Sequence, residues 1–222
     1  MSLIKRTAHA LERRLRPLSG EAGQVEIDPE TGARRRNYRS YADYVRHQSA
    51  KLPRNFDALI EHDRAYERIV YERYQRLTLK GATILCLGAR LGGETRAFTR
   101  LGALAIGVDL EPGADNKFVV PGDVHQLQFA NGVFDYAFTN ILDHVLDLDA
   151  FFAEVERVLR RDGRLIVELA DVGMGEYEVT DLSDGRVRAM LDQRFRLIDE
   201  GAILNKTDYT DWSGACLIYT RV

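Results

Sequence analysis

Cysteine is scarce in this chain of 222 residues: there are two, Cys86 and Cys216, each inside an apolar run and neither in a C-x-x-C pair. That spacing excludes a disulfide framework and offers no set of metal ligands, so both are read as plain buried thiols. Long apolar runs are missing as well. The longest, such as Ala103 to Leu110 and Leu165 to Val167, fall far below the roughly 20 residues of a membrane-spanning helix. The opening M-S-L-I-K-R-T alternates charged with apolar residues and lacks both the apolar stretch and the small-residue cleavage site of a secretory signal, which predicts a cytoplasmic protein. There is no internal repeat and no low-complexity tract. G-x-G-x-x-G and Y-x-x-x-K are both absent, which argues against a nicotinamide-dependent dehydrogenase.

What is present is enough apolar residue, 45%, for one sizeable core with a modest appendage. The formal net charge of -3 is divided unevenly. Residues 1 to 55 hold twelve Lys or Arg against six Asp or Glu, a net of +6, which leaves -9 for the remainder. Arg34, Arg35, Arg36, Arg39, Arg46, His47 and Lys51 make the amino-terminal segment the candidate anion-facing surface, with a solvated basic face as the plainer reading. Tyr38, Tyr41 and Tyr44 interleave with those charges, and the helical spacing of Tyr41 and Tyr44 points to core contacts. The acidic whole and the lack of an RNA-binding motif predict no nucleic-acid partner.

Residues 3 to 16 place Leu3, Ile4, Ala8, Leu11 and Leu15 at three- and four-residue spacing, an amphipathic helix ending before Pro17. Such a helix suits a membrane-surface contact or a homodimer contact. A punctuated stretch follows, with a hairpin expected across D-P-E-T-G, and then two or more helices between Tyr41 and Leu77 with a break at Pro53. After Gly81 the rhythm changes to short apolar runs alternating with helical segments. Strands are predicted at 83–87, 103–109, 116–120, 134–139, 164–169, 195–200 and 215–220, and helices at 94–101, 148–160 and 184–193. The expected fold is α/β: a doubly wound, seven-stranded, mainly parallel sheet with helices on both faces and an amino-terminal helical extension. We divide the chain into a basic extension or cap, 1–79, and a Rossmann-like domain, 80–222.

The first of these strands runs into L-G-A-R-L-G-G-E-T and then a helix, which puts Gly88, Gly92 and Gly93 at the carboxyl end of a central strand, where open α/β sheets bind ligands. Glycines suit a sharp turn that lets a ligand lie against backbone N–H groups at a helix start. The next strand ends in G-V-D-L-E. Asp109 stands 17 positions beyond Gly92, near the roughly 20-residue offset at which an acid meets a ribose.

In this order the segments resemble the class I S-adenosylmethionine-dependent methyltransferases over residues 80 to 222. I-L-C-L-G-A-R-L-G is similar to that family's first motif, G-V-D-L to its second and V-P-G-D-V-H-Q-L-Q-F to its third, followed by F-D-Y-A-F-T-N-I-L-D-H-V and E-V-E-R-V-L-R-R-D-G-R-L-I-V. The resemblance implies S-adenosylmethionine as cofactor, held by Gly88, Ala89, Arg90, Gly92, Gly93, Asp109, Leu110, Asp123, Val124 and Asn140. Two departures stand out. Cys86 replaces an acid that the family usually places near the cofactor's amino group, and Arg90 replaces the middle glycine of the turn. Glu94 is the candidate to supply the missing acid.

His144 and Asp143 lie where the family's acceptor pocket opens, and they are the candidate catalytic pair. An imidazole there is either a general base or a group that packs and caps. The resulting expectation is methyl transfer, on oxygen as a first choice, to a small polar acceptor such as a sugar, a glycan or another anionic metabolite. The alternative, prompted by Cys86 and Arg90, is a non-catalytic binding or regulatory protein on the same scaffold.

Overall fold

The computed structural model describes residues 23–30, 32–50, 56–171, 174, 176–182, 185–206 and 211–221. The helix predicted over residues 3–16 lies outside them. The seven expected strands form one sheet. Strands β3 (Thr83–Leu87), β4 (Leu104–Asp109), β5 (Val119–Pro121), β6 (Phe134–Thr139) and β7 (Leu159–Ala170) run parallel. Strands β8 (Phe195–Lys206) and β9 (Asp211–Arg221) complete the sheet antiparallel, in the order β5-β4-β3-β6-β7-β9-β8. The chain moves outward from β3 to β5 and then returns to the other side of β3 with β6. Such a reversal is where open α/β sheets place their ligands, at the carboxyl ends of β3 and its neighbours.

Alternation along the strands feeds two cores, one on each face. Leu85, Leu87, Ala137, Leu165, Val167, Leu217 and Tyr219 point to one side and meet Phe151, Phe152, Val155 and Leu191. Those partners come from α4 (Leu148–Val158) and α5 (Arg186–Arg194). Ile84, Cys86, Tyr136, Phe138, Ile166 and Ile218 point to the other side, against α2 (Phe56–Tyr74) and α3 (Gly93–Arg100). Helix α2 presents Tyr66, Val70 and Tyr74 at four-residue spacing, and Tyr74, Phe98 and Phe138 meet at ring-centroid separations of 5.3 to 5.9 Å. Burying each such ring is worth about 2–3 kcal/mol, which fastens α2 over α3 and the sheet.

Several boundaries move, each for a local reason. Strand β5 starts at Val119 rather than 116 because Asn116 caps the approach: its Oδ1 accepts the N–H groups of Phe118 and Val119. Helix α4 stops at Val158 rather than 160. Leu159 is already extended, at ψ 136°, fully buried and paired with Phe134 of β6. Strands β8 and β9 overrun their predictions because they pair with each other along Lys206↔Asp211 to Phe195↔Arg221.

The expected hairpin forms from β1 (Gln24–Ile27) and β2 (Arg34–Asn37), and α1 (Tyr41–Ser49) follows, capped by Ser40 Oγ accepting the Asp43 N–H at 3.2 Å. The basic face expected here needs correction. Arg36 is 1% exposed, and its guanidinium donates to the carbonyls of Glu178 and Gly23. His47 is buried between Tyr38 and Tyr177. Arg36 ties the hairpin to the loop after β7 by answering the Glu178 carbonyl, and His47 ties α1 to the same loop by stacking on the Tyr177 ring. Tyr44 is core, as its spacing suggests, but Tyr41 is 44% exposed.

Candidate functional site

The turn after β3 is held by its neighbour strand. The N–H groups of Gly88 and Ala89 both donate to Val108 O, at 2.8 and 3.0 Å. Gly88 has φ +75°, and a Cβ on it would lie 2.5 Å from the Ile141 side chain. The turn also passes through the left-handed region at Arg90, φ 43°, where a side chain costs about 1 kcal/mol or more. Gly92 (φ 91°) ends the turn and α3 begins at Gly93. No local side chain caps this helix; Asp63 of α2 does so, with Oδ1 accepting the Gly93 N–H at 2.8 Å. A Cβ at Gly93 would stand 2.6 Å from Asp63 O, so the glycine permits this approach. Arg96 locks the contact by pairing with Asp63 and, at 2.8 Å, with Glu67.

Asp109 ends β4, beside this turn. Its Oδ2 accepts the Arg90 N–H at 2.9 Å and its Oδ1 the Glu111 N–H at 2.9 Å, so the acid and the turn fix each other. The carboxylate is half-buried, and each oxygen keeps a second lone pair. Leu110 next to it is also half-buried.

Asp123 follows β5. Its Oδ1 takes both the backbone N–H and Nδ1 of His125, at 2.9 and 2.8 Å, and its Oδ2 accepts from the Tyr41 hydroxyl. Burial opposes its ionisation, but the bonds from His125 and Tyr41 outweigh that and hold its pKa below the usual range. Val124 is buried and belongs to the α4-side core. Asn140, just past β6, donates through Nδ2 to the Tyr66 hydroxyl at 2.9 Å.

Beneath the turn sits Glu94, 4% exposed, with its pKa raised to about 8 by burial above all and by the charges of Asp63 and Asp109. Cys86 is fully buried on the floor, its thiol pushed up by burial and then by Glu94.

His144 lies in a short 3-10 turn, Leu142–His144, after β6. A backbone carbonyl only accepts, so the 3.0 Å contact of Nδ1 with Tyr177 O puts the ring proton on Nδ1 and the basic lone pair on Nε2. Asp143 Oδ1 stands 3.8 Å from Nε2. Helix α1 crosses above. Its Tyr41 reaches Asp123, its Tyr44 hydroxyl donates to His144 O at 3.2 Å, and its Gln48 donates to Tyr177 O at 2.8 Å. The carboxyl ends of β5, β6 and β7 thus share one roof.

Two features escaped sequence reasoning. One is the loop at 176–180, which holds His144 and meets Arg36; nothing in its composition marks it. The other is Glu168 on β7, fully buried, which accepts from the hydroxyls of Tyr66 and Tyr74 at 2.8 Å each and from Arg73. An acid within the apolar run R-L-I-V-E-L was the available signal.

Residues 85–167 match the family model of a methyltransferase domain. No curated protein matches the chain. Solved structures that share the fold include the 1,6-didemethyltoxoflavin-N1-methyltransferase of Burkholderia thailandensis, in complex with 1,6-didemethyltoxoflavin and S-adenosylhomocysteine. It is 17% identical, with TM-score 0.65, over 90% of this chain and 100% of that one. A Pyrococcus horikoshii protein is 19% identical, with TM-score 0.61, over 78% of this chain and 97% of its own. An S-adenosylmethionine-dependent methyltransferase of Methanosarcina mazei is 17% identical, with TM-score 0.54, over 69% and 97%. At such identities the structures speak for the fold, and the sequence match speaks for the domain. Residues 85–167 are thus similar to a methyltransferase domain, on a fold shared with solved methyltransferases.

Proposed function

We propose that the protein binds S-adenosylmethionine at the turn from Gly88 to Gly93 and transfers its methyl group to a small polar acceptor. One observation carries this reading: the glycine turn and Asp109 converge at the carboxyl ends of adjacent parallel strands, with Asp109 Oδ2 on the Arg90 N–H at 2.9 Å. The donor set fits the cofactor. Asp109, with lone pairs to spare, suits a ribose diol; the left-handed turn and the α3 terminus suit the amino-acid end. Glu94, buried with no side-chain donor among the described residues, suits a cation. The cofactor, when bound, supplies an electrophilic methyl group on sulfur.

What remains for the protein is positioning and proton management. His144 is held by Tyr177 O with its basic nitrogen as Nε2, an orientation suited to taking the acceptor's proton, and Asp143 at 3.8 Å favours the imidazolium that results. Helix α1, tied to Asp123 and His144, restricts entry and supports a small acceptor rather than a macromolecule. Oxygen as the methylated atom is part of this proposal. The burial of Arg36 and His47 withdraws two residues from any recognition of an acceptor's negative charge.

Calorimetry with S-adenosylmethionine and S-adenosylhomocysteine tests the reading. Binding of both, weakened at least tenfold in Asp109→Ala, is expected from loss of charged hydrogen bonds worth about 1.5–3 kcal/mol. No heat from either ligand would refute it and favour the non-catalytic alternative.

A further inference from the structure

Nearly every polar group around the turn is answered from within the protein. Arg90 N–H has Asp109, Gly93 N–H has Asp63, Arg96 has Asp63 and Glu67, and Asp123 has His125 and Tyr41. Glu94 is different. Its side chain is enclosed in the first turn of α3, and among the described residues only its own backbone N–H donates to it. The groups that face it are Asp63 and Tyr66 from α2, Cys86 from β3, Arg90 from the turn and Asp109 from β4. Two of those are carboxylates and one is a guanidinium. An enclosed carboxyl with so little compensation is a place built for a positive charge that arrives from outside.

We propose that Glu94 is the seat of the cofactor's positive charge, and that loading the cofactor ionises its carboxyl and releases one proton to solvent. This rests on the reading that S-adenosylmethionine occupies the turn. Burial first, then Asp63 and Asp109, hold the carboxyl near a pKa of about 8 against the opposing pull of its own N–H and Arg90, so at pH 7 it is mostly neutral. A cation in contact reverses that balance and drives the pKa down. Affinity then rises with pH, by up to about tenfold per unit, and levels off near 8. Glu94 is thus a specificity-determining residue: it selects a ligand with a cation at this place and makes occupancy depend on pH.

The cation has two chemical sources, the ammonium of the amino-acid end and the sulfonium. S-adenosylmethionine carries both and S-adenosylhomocysteine carries only the first, which allows them to be separated.

The experiment is calorimetric titration of the full chain with each ligand at pH 7, in two buffers of different ionisation enthalpy, so that the difference in heat counts protons. For S-adenosylmethionine we expect release of nearly one proton by the wild type and almost none by Glu94→Gln, with binding weakened at least tenfold. Release with both ligands assigns Glu94 to the ammonium; release with S-adenosylmethionine alone assigns it to the sulfonium. Binding by the wild type without proton release overturns the proposal, as does equal release by Glu94→Gln. If that variant does not fold, the wild-type affinity between pH 6 and 7.5 decides: a rise supports the proposal and a flat profile overturns it. Absence of any binding removes the proposed function itself, and this inference with it.

Discussion

Among the described residues two glutamates are buried, Glu94 at the start of α3 and Glu168 on β7, and they are treated in opposite ways. Glu168, on β7, receives two tyrosine hydroxyls and the Arg73 guanidinium, which in turn donates to Asn205 at 2.7 Å. Glu94, under the glycine turn, receives among the described residues only its own backbone N–H. The first is a clamp: through Tyr66, Arg73 and Tyr74 it fastens α2 to the sheet. The second has its charged form destabilised by burial, and in our proposal it is the place of a cation. The contrast teaches that burial alone does not mark a functional acid. The supply of donors does.

The largest expected effect comes from breaking the clamp. Glu168→Ala strands a guanidinium and two hydroxyls, and we expect a loss of about 3–5 kcal/mol in urea denaturation. A loss under about 1 kcal/mol would mean that the clamp is not what ties α2 down.

Glu94→Gln, measured without cofactor, is expected to do the opposite at high pH. The Glu94 carboxyl is raised from its ordinary 4.5 to about 8, so its contribution to stability is full below about 4.5 and is lost as pH rises through about 8. Glutamine has no such loss. The variant's advantage over the wild type should therefore grow between pH 5 and 9, to on the order of 3 kcal/mol. Parallel stability curves across that range would show Glu94 to be no more starved of donors than Glu168.

A smaller effect is expected where α2 meets the turn. Asp63→Ala removes the cap on Gly93 and one partner of Arg96, a loss of about 1–2 kcal/mol by thermal denaturation. It also removes one of the negative charges facing Glu94, so the Glu94 titration should move down. The smallest change sharpens the contrast from the other side. Arg90→Gly relieves the left-handed residue, a gain of up to about 1 kcal/mol, while deleting the guanidinium that faces Glu94. The titration should then move up.

Much of the fold was legible because apolar runs of period two alternate with helical segments after Gly81, and both cores follow from that alternation. The hairpin across D-P-E-T-G was legible from its turn residues. Positions of the turn and of Asp109 follow from strand ends. What sequence does not carry is long-range supply and demand. Asp63 caps a helix 30 positions away, Tyr41 reaches Asp123 across 82, and Arg36 finds the Glu178 carbonyl across 142. Local composition marked Arg36 as solvated because three consecutive arginines usually are; tertiary packing overrode that for one of the three. Glu94 was visible as an acid near the turn, but its lack of donors is a property of the fold alone.

In our proposal the space between the glycine turn and Asp109 receives an adenosyl group. A crystal structure of the full chain grown with S-adenosylhomocysteine tests it most directly. Ligand density is expected against residues 88–93, with the sugar on the Asp109 carboxylate. Clear density showing the crevice closed by the side chains of Ile141 and Tyr44, and no ligand beside Asp109 at saturating concentration, would contradict it.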